Sequence, residues 1–131
     1  MNEFLFAAHS GFRYLVLVIG LGAAAAAAAA LVGGPTSKPA HLSFRLFAVF
    51  VVLVDVQVVL GLAVILTRPF LPIYIGHLVL MVVAVAVAHG LAVYLKRRPV
   101  DRRDPGPILA GVAITLALIA GGILAIDRPI F

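Results

Sequence analysis

The chain has 131 residues, 64% hydrophobic and 11% charged, whereas an ordinary soluble domain is roughly 45–50% apolar and about 25% charged. One water-soluble core of this size cannot hide so much apolar surface, so a soluble enzyme, a nucleic-acid binder and a disordered chain are all poor readings. The net charge of +5 lies mostly in two short segments between apolar runs, and the absence of cysteine removes disulfides, thiolate metal sites and thioether-attached haem.

Crossing a bilayer takes about 20 mostly apolar residues in a helix. Four stretches qualify, about 4–32, 44–66, 73–95 and 108–126, and together they predict one all-α transmembrane domain over 1–131. The first span carries His9 and Arg13 near its start and ends in a run of alanines, Ala23 to Ala30. Small side chains of that kind let helix backbones approach closely where apolar burial cannot drive association. Gly33-Gly34-Pro35 closes this span, and Thr36 to Ala40 reads as a short polar link with His41 just beyond it. The second span carries Asp55 and Gln57. Pro69 and Pro72 punctuate a very short link, which makes spans two and three antiparallel neighbours. The third span carries His77 and His89. Pro99, Pro105 and Pro107 break the next link, with Asp104 and Pro105 placed to start the fourth span. That last span has no ionisable side chain and suits a lipid-facing or partner-facing helix. Short connections between four helices predict an up-down-up-down bundle.

Lys38, Arg45, Lys96, Arg97, Arg98, Arg102 and Arg103 fall on one side, against Arg13, Arg68 and Arg128 on the other. The positive-inside rule then puts both termini on the non-cytoplasmic side, as expected for a bacterial inner-membrane protein. The basic third link would also be drawn to anionic headgroups. A cleavable secretory signal is the competing reading of the first segment, but Met1 to Phe12 is acidic and apolar where a signal is basic.

An ionisable group in the bilayer costs about 2.5–3.5 kcal/mol at mid-depth and asks for a partner or a purpose. His9 and His77 each lie roughly 7 Å inside the outer end of their spans, at about 1.5 Å per residue, so two histidines from different helices share one level. Arg13 and Asp55 are estimated at depths close enough for a pair near Gln57, although hydropathy does not fix the helix rotation that would bring them together. Such a pair would fix helix register, unless Asp55 transfers protons or Arg13 holds an acidic ligand group. His89 lies toward the other side, about 120° round the helix from His77, with only His41 near its level. Gly11, Gly76 and Gly90 sit beside the three span histidines and would leave room for a planar ring.

Two facing imidazoles in a cysteine-free bundle point to noncovalent haem b, with His9 and His77 as iron ligands and Arg13 for a propionate. His89 is a further cofactor-binding candidate for a second haem, and a magnesium chlorin on a single histidine is a variant. The segment His9-Ser10-Gly11-Phe12-Arg13-Tyr14, with His77 and His89 on span three, resembles the small bacterial four-helix membrane cytochromes of the cytochrome b561-like kind. That resemblance implies electron transfer to or from quinone, although span two carries Asp55 and Gln57 where such cytochromes carry histidine. One alternative is a cofactor-free accessory subunit packed against a larger respiratory or photosynthetic complex or against its own copies. Another is a small proton- or ion-conducting protein using Asp55, Gln57 and Arg13. No hydrolase, protease or phosphate-loop motif is present, so an electron carrier or subunit is expected rather than a stand-alone enzyme.

Overall fold

The computed structural model describes residues 2–130, and four long helices dominate it. They are α1 (Asn2–Gly33), α2 (Lys38–Thr67), α3 (Tyr74–Lys96) and α4 (Gly106–Leu124), with one short 3₁₀ turn, Val100–Arg102, before α4. All four are long and apolar enough to cross a membrane, so the chain is an all-helical integral membrane bundle. Both described ends of the chain lie at one end of the bundle, with the α2–α3 link. The α1–α2 and α3–α4 links occupy the other end.

Local chemistry sets the helix boundaries. Gly34, at φ 86°, takes the left-handed conformation that glycine adopts without penalty and stops α1. Ser37 then caps α2, its hydroxyl accepting from the Ala40 amide at 3.3 Å, with Pro39 in the first turn where no amide proton is needed. The expected Thr36–Ala40 link is therefore shorter than the sequence suggested, and His41 lies in the first turn of α2 rather than in a loop. At α4, Asp104 accepts from the Gly106 amide at 2.9 Å and Pro107 occupies the first turn.

The closest seam runs between α1 and α2. Ala23, Ala26, Ala27 and Ala30 repeat at helical spacing and are buried, opposite the buried Ala40, Ser43, Phe47 and Phe50. A Cβ on Gly20 would come within 2.8 Å of both Phe50 and Leu116, so the bare backbone there is required for the approach of α2 and α4. Helices α3 and α4 form the second close pair, and α1 packs on α4. The fourth helix is thus not simply lipid-facing. It buries Ile108, Val112, Thr115, Ile119 and Ile123, and Thr115 satisfies its hydroxyl on the Gly111 carbonyl at 2.8 Å.

Helices α2 and α3 are antiparallel and joined by the short link, yet they pack only lightly on each other. Their outward stripes are branched and bulky, with Val52, Val59 and Leu62 on α2 and Val79, Val82 and Val93 on α3, all exposed.

Candidate functional site

Near the end of the bundle that carries the termini, His9 from α1 and His77 from α3 meet across its diagonal. Their ring centroids are 6.4 Å apart and their planes lie at 83°, although the α1 and α3 backbones do not touch. Each ring is held from behind by a different helix. Gln57 on α2 donates from Nε2 to the His9 carbonyl at 2.9 Å and to His9 Nδ1 at 3.3 Å. His77 Nδ1 donates to the Gly122 carbonyl at 2.8 Å.

These bonds define which nitrogens are free. An amide nitrogen can only donate and a carbonyl can only accept, so His9 Nδ1 accepts while His77 Nδ1 carries a proton. The neutral His9 ring therefore has its proton on Nε2, and His77 keeps a lone pair on Nε2. Imidazoles that bind metals are commonly held by such an Nδ1–H to carbonyl bond. Gln57 Oε1 and Arg13 Nε are buried with no hydrogen-bond partner.

The glycines that matter for approach are not those adjacent in sequence. A Cβ on Gly11 or Gly90 would meet nothing within 4 Å, and one on Gly76 would meet only Ala125. Instead, Gly61 lies flat against His9, where a Cβ would come 2.9 Å from Cε1, and Gly122 lies against His77 and Met81. Gly61 follows Gln57 by one helical turn, so a single face of α2 supports the His9 ring.

Around the rings runs a crevice lined from all four helices, including Phe6, Val58, Met81 and Ile123 and the two cations Arg13 and Arg128. Its volume is about 80 Å³, below the roughly 300–1,000 Å³ usual for small-molecule sites. Arg13 bonds the Tyr14 hydroxyl through Nη2 at 2.9 Å. Arg128 lies over Phe6 at 5.4 Å, and Arg68, over the same ring at 4.5 Å, pairs with Glu3 at 2.8 Å. Arg128, which the sequence shows only as one of the outer-side charges, lines this crevice as well. Its place just beyond span four, on the His9 side, was the available signal.

The Arg13–Asp55 pair that their depths allowed is not formed. Asp55 Oδ1 instead accepts from His89 Nε2 at 2.7 Å. Asp55 and Gln57 are two residues apart, which turns them about 160° from each other on the helix, so Gln57 faces α1 while Asp55 faces α3. For the same reason Arg13, Asp55 and Gln57 do not line one path. The Asp55 and His89 side chains are 49% and 46% exposed in the lightly packed α2–α3 seam, which separates His89 from the His9–His77 site. His41 joins neither group.

Among the described residues no three His, Cys, Asp or Glu side chains converge to hold a metal ion. Compared with known protein families, curated proteins and solved structures, the chain shows no match.

Proposed function

We propose that the chain is a membrane b-type haem protein serving electron transfer, with His9 and His77 as the axial ligands. The observation that carries this reading is the meeting of the two imidazoles. A metal midway between two rings, about 2.0–2.1 Å from each nitrogen, places their centroids roughly 6 Å apart, and here they are 6.4 Å apart. Two imidazoles are too few to hold a bare ion, which takes four or more ligands. They suffice for an iron already bound by four ring nitrogens, which supplies one-electron redox chemistry.

The donor set fits. His77 presents Nε2 with Nδ1 tied to Gly122. Ligation through His9 Nε2 requires its proton on Nδ1, the opposite tautomer from the one that the Gln57 amide selects, so taking up the group means giving up the Gln57–Nδ1 bond. Arg13, with its buried and unpartnered Nε, and Arg128 supply positive charge for propionates. A space of only 80 Å³ that touches all four helices is thin. As it stands it does not hold a porphyrin, whose site must reach the roughly 300–1,000 Å³ of small-molecule pockets, so binding requires the lining side chains, the flexible Met81 among them, to move outward together. The lysine and arginine distribution supports placement of both termini on the non-cytoplasmic side of a bacterial inner membrane, with the site near that surface and quinone as a redox partner.

A cofactor-free subunit of a larger membrane assembly is the second reading. It is favoured by Asp55 and His89, a polar pair half-exposed on a seam that a neighbouring helix would cover.

The deciding experiment is absorbance of the chain purified from haem-replete cells. The proposal expects a low-spin six-coordinate b-type spectrum that is lost in both His9→Ala and His77→Ala. A colourless wild type in a well-folded preparation overturns it.

A further inference from the structure

At the end of the bundle opposite the histidine site, the last turns of α3 and the following 3₁₀ turn border an open groove of about 580 Å³, within the size range of small-molecule sites. Its walls divide by chemistry. Gly90 and Val93 form an apolar end, and Arg97, Arg98 and Arg102 form the other, with Tyr94 between them. Arg98 stacks on Tyr94 at 4.7 Å, which fixes one guanidinium beside the aromatic ring. Asp101 and Asp104 are close in sequence. Even so, among the described residues the ion pairs are Arg68–Glu3 and His89–Asp55, so none of the three guanidinium groups has a carboxylate partner. Gly90 is exposed, and a Cβ there would meet nothing within 4 Å, so the apolar end opens sideways. With α3 ending at Lys96, Gly90 lies roughly 9 Å farther into the bundle at 1.5 Å per residue.

We infer that this groove binds a single anionic phospholipid, with its phosphodiester on Arg97, Arg98 and Arg102 and the start of an acyl chain along Val93 and Gly90. Guanidinium groups match phosphate oxygens in pairs, and three unpaired cations repel a headgroup that carries its own ammonium. The tyrosine stands at the depth where aromatic side chains meet headgroups. Basic pockets on the positively charged side of membrane helices bind acidic headgroups in the same way. This site is separate from the histidine pair and stands whether or not haem is bound.

The test uses the full chain in nanodiscs of equal phosphatidylglycerol and phosphatidylcholine, with native mass spectrometry counting the lipids retained on release. Wild type is expected to retain phosphatidylglycerol at least about ten-fold over phosphatidylcholine, since each basic residue contributes about 1 kcal/mol, or some five-fold. The triple variant Arg97→Gln, Arg98→Gln, Arg102→Gln loses that preference, while Lys38, Arg45, Lys96 and Arg103 preserve the charge bias that orients the chain. Gly90→Leu leaves every charge in place and fills the apolar end, so it too lowers retention. Equal retention of both lipids by wild type, or an unchanged preference in either variant, overturns the inference. A site for free phosphate would show displacement of phosphatidylglycerol by millimolar inorganic phosphate at constant ionic strength and indifference to Gly90→Leu. That result also overturns it.

Discussion

Adding one methyl group at Gly61 tests whether the His9 ring is held as the structure shows. The new Cβ would lie 2.9 Å from His9 Cε1 and 3.3 Å from Nδ1, whereas ordinary carbon contacts begin near 3.5 Å. The ring must therefore recede by at least about half an ångström, and the 3.3 Å Gln57–His9 Nδ1 bond is stretched past hydrogen-bonding range. Overpacking of this kind costs about 1–3 kcal/mol, a lost hydrogen bond adds about 0.5–1.5 kcal/mol, and alanine's better helix propensity offsets up to about 1 kcal/mol, so Gly61→Ala is expected to destabilise by about 1–3 kcal/mol. Gly11→Ala is the matched control. A Cβ there meets nothing, and replacing a mid-helix glycine by alanine gains up to about 1 kcal/mol. Thermal unfolding of both variants in the same detergent, followed by circular dichroism, should move the midpoint in opposite directions. If Gly61→Ala is as benign as Gly11→Ala, α2 does not press on the His9 ring and the site described above is wrong.

Removing the amide in Gln57→Leu should cost about 1–2 kcal/mol and free the His9 ring, which nitrogen-15 NMR would show as a change in its tautomer signals. In Asp55→Leu, the His89 ring loses its hydrogen bond to Asp55, but an ionisable group costing about 2.5–3.5 kcal/mol at mid-bilayer also leaves the membrane. Unfolding should therefore show little net loss, while the His89 ring resonances shift. Ser37→Ala removes the cap of α2 and should cost about 1 kcal/mol, with faster amide exchange confined to its first turn. Glu3→Gln should change the unfolding midpoint hardly at all, because Glu3 is almost fully exposed and surface ion pairs contribute about 0–1 kcal/mol.

Hydropathy and turn residues were enough to locate four helices, because a span of apolar residues bounded by glycine and proline has few other solutions in lipid. They located α2 less well, because the Ser37 cap and Pro39 extend the helix backward through residues that read as polar link. The shared level of His9 and His77 was legible from rise per residue alone. Which face each helix turns inward was not, since hydropathy is blind to rotation in a chain that is apolar all round. That blindness left the Arg13–Asp55 pair open. A different count would have found the true partner: Asp55 stands twelve residues before the end of α2 and His89 fifteen after the start of α3. Measured from the shared tight link, the two are nearly level. The glycines facing the rings, Gly61 and Gly122, come from other helices than their histidines, so sequence adjacency pointed to the wrong ones.

The unequal seams bear on how the chain assembles. Each hairpin, α1 with α2 and α3 with α4, satisfies most of its own packing, so each can enter the membrane and close before it meets the other. What then aligns the halves is the α1–α4 contact, the edge-on contact of the His9 and His77 rings and the Asp55–His89 hydrogen bond, which fix the sliding position of surfaces that are otherwise mostly hydrocarbon. The same residues that invite a chemical reading thus also act as the registration marks of a two-piece membrane protein.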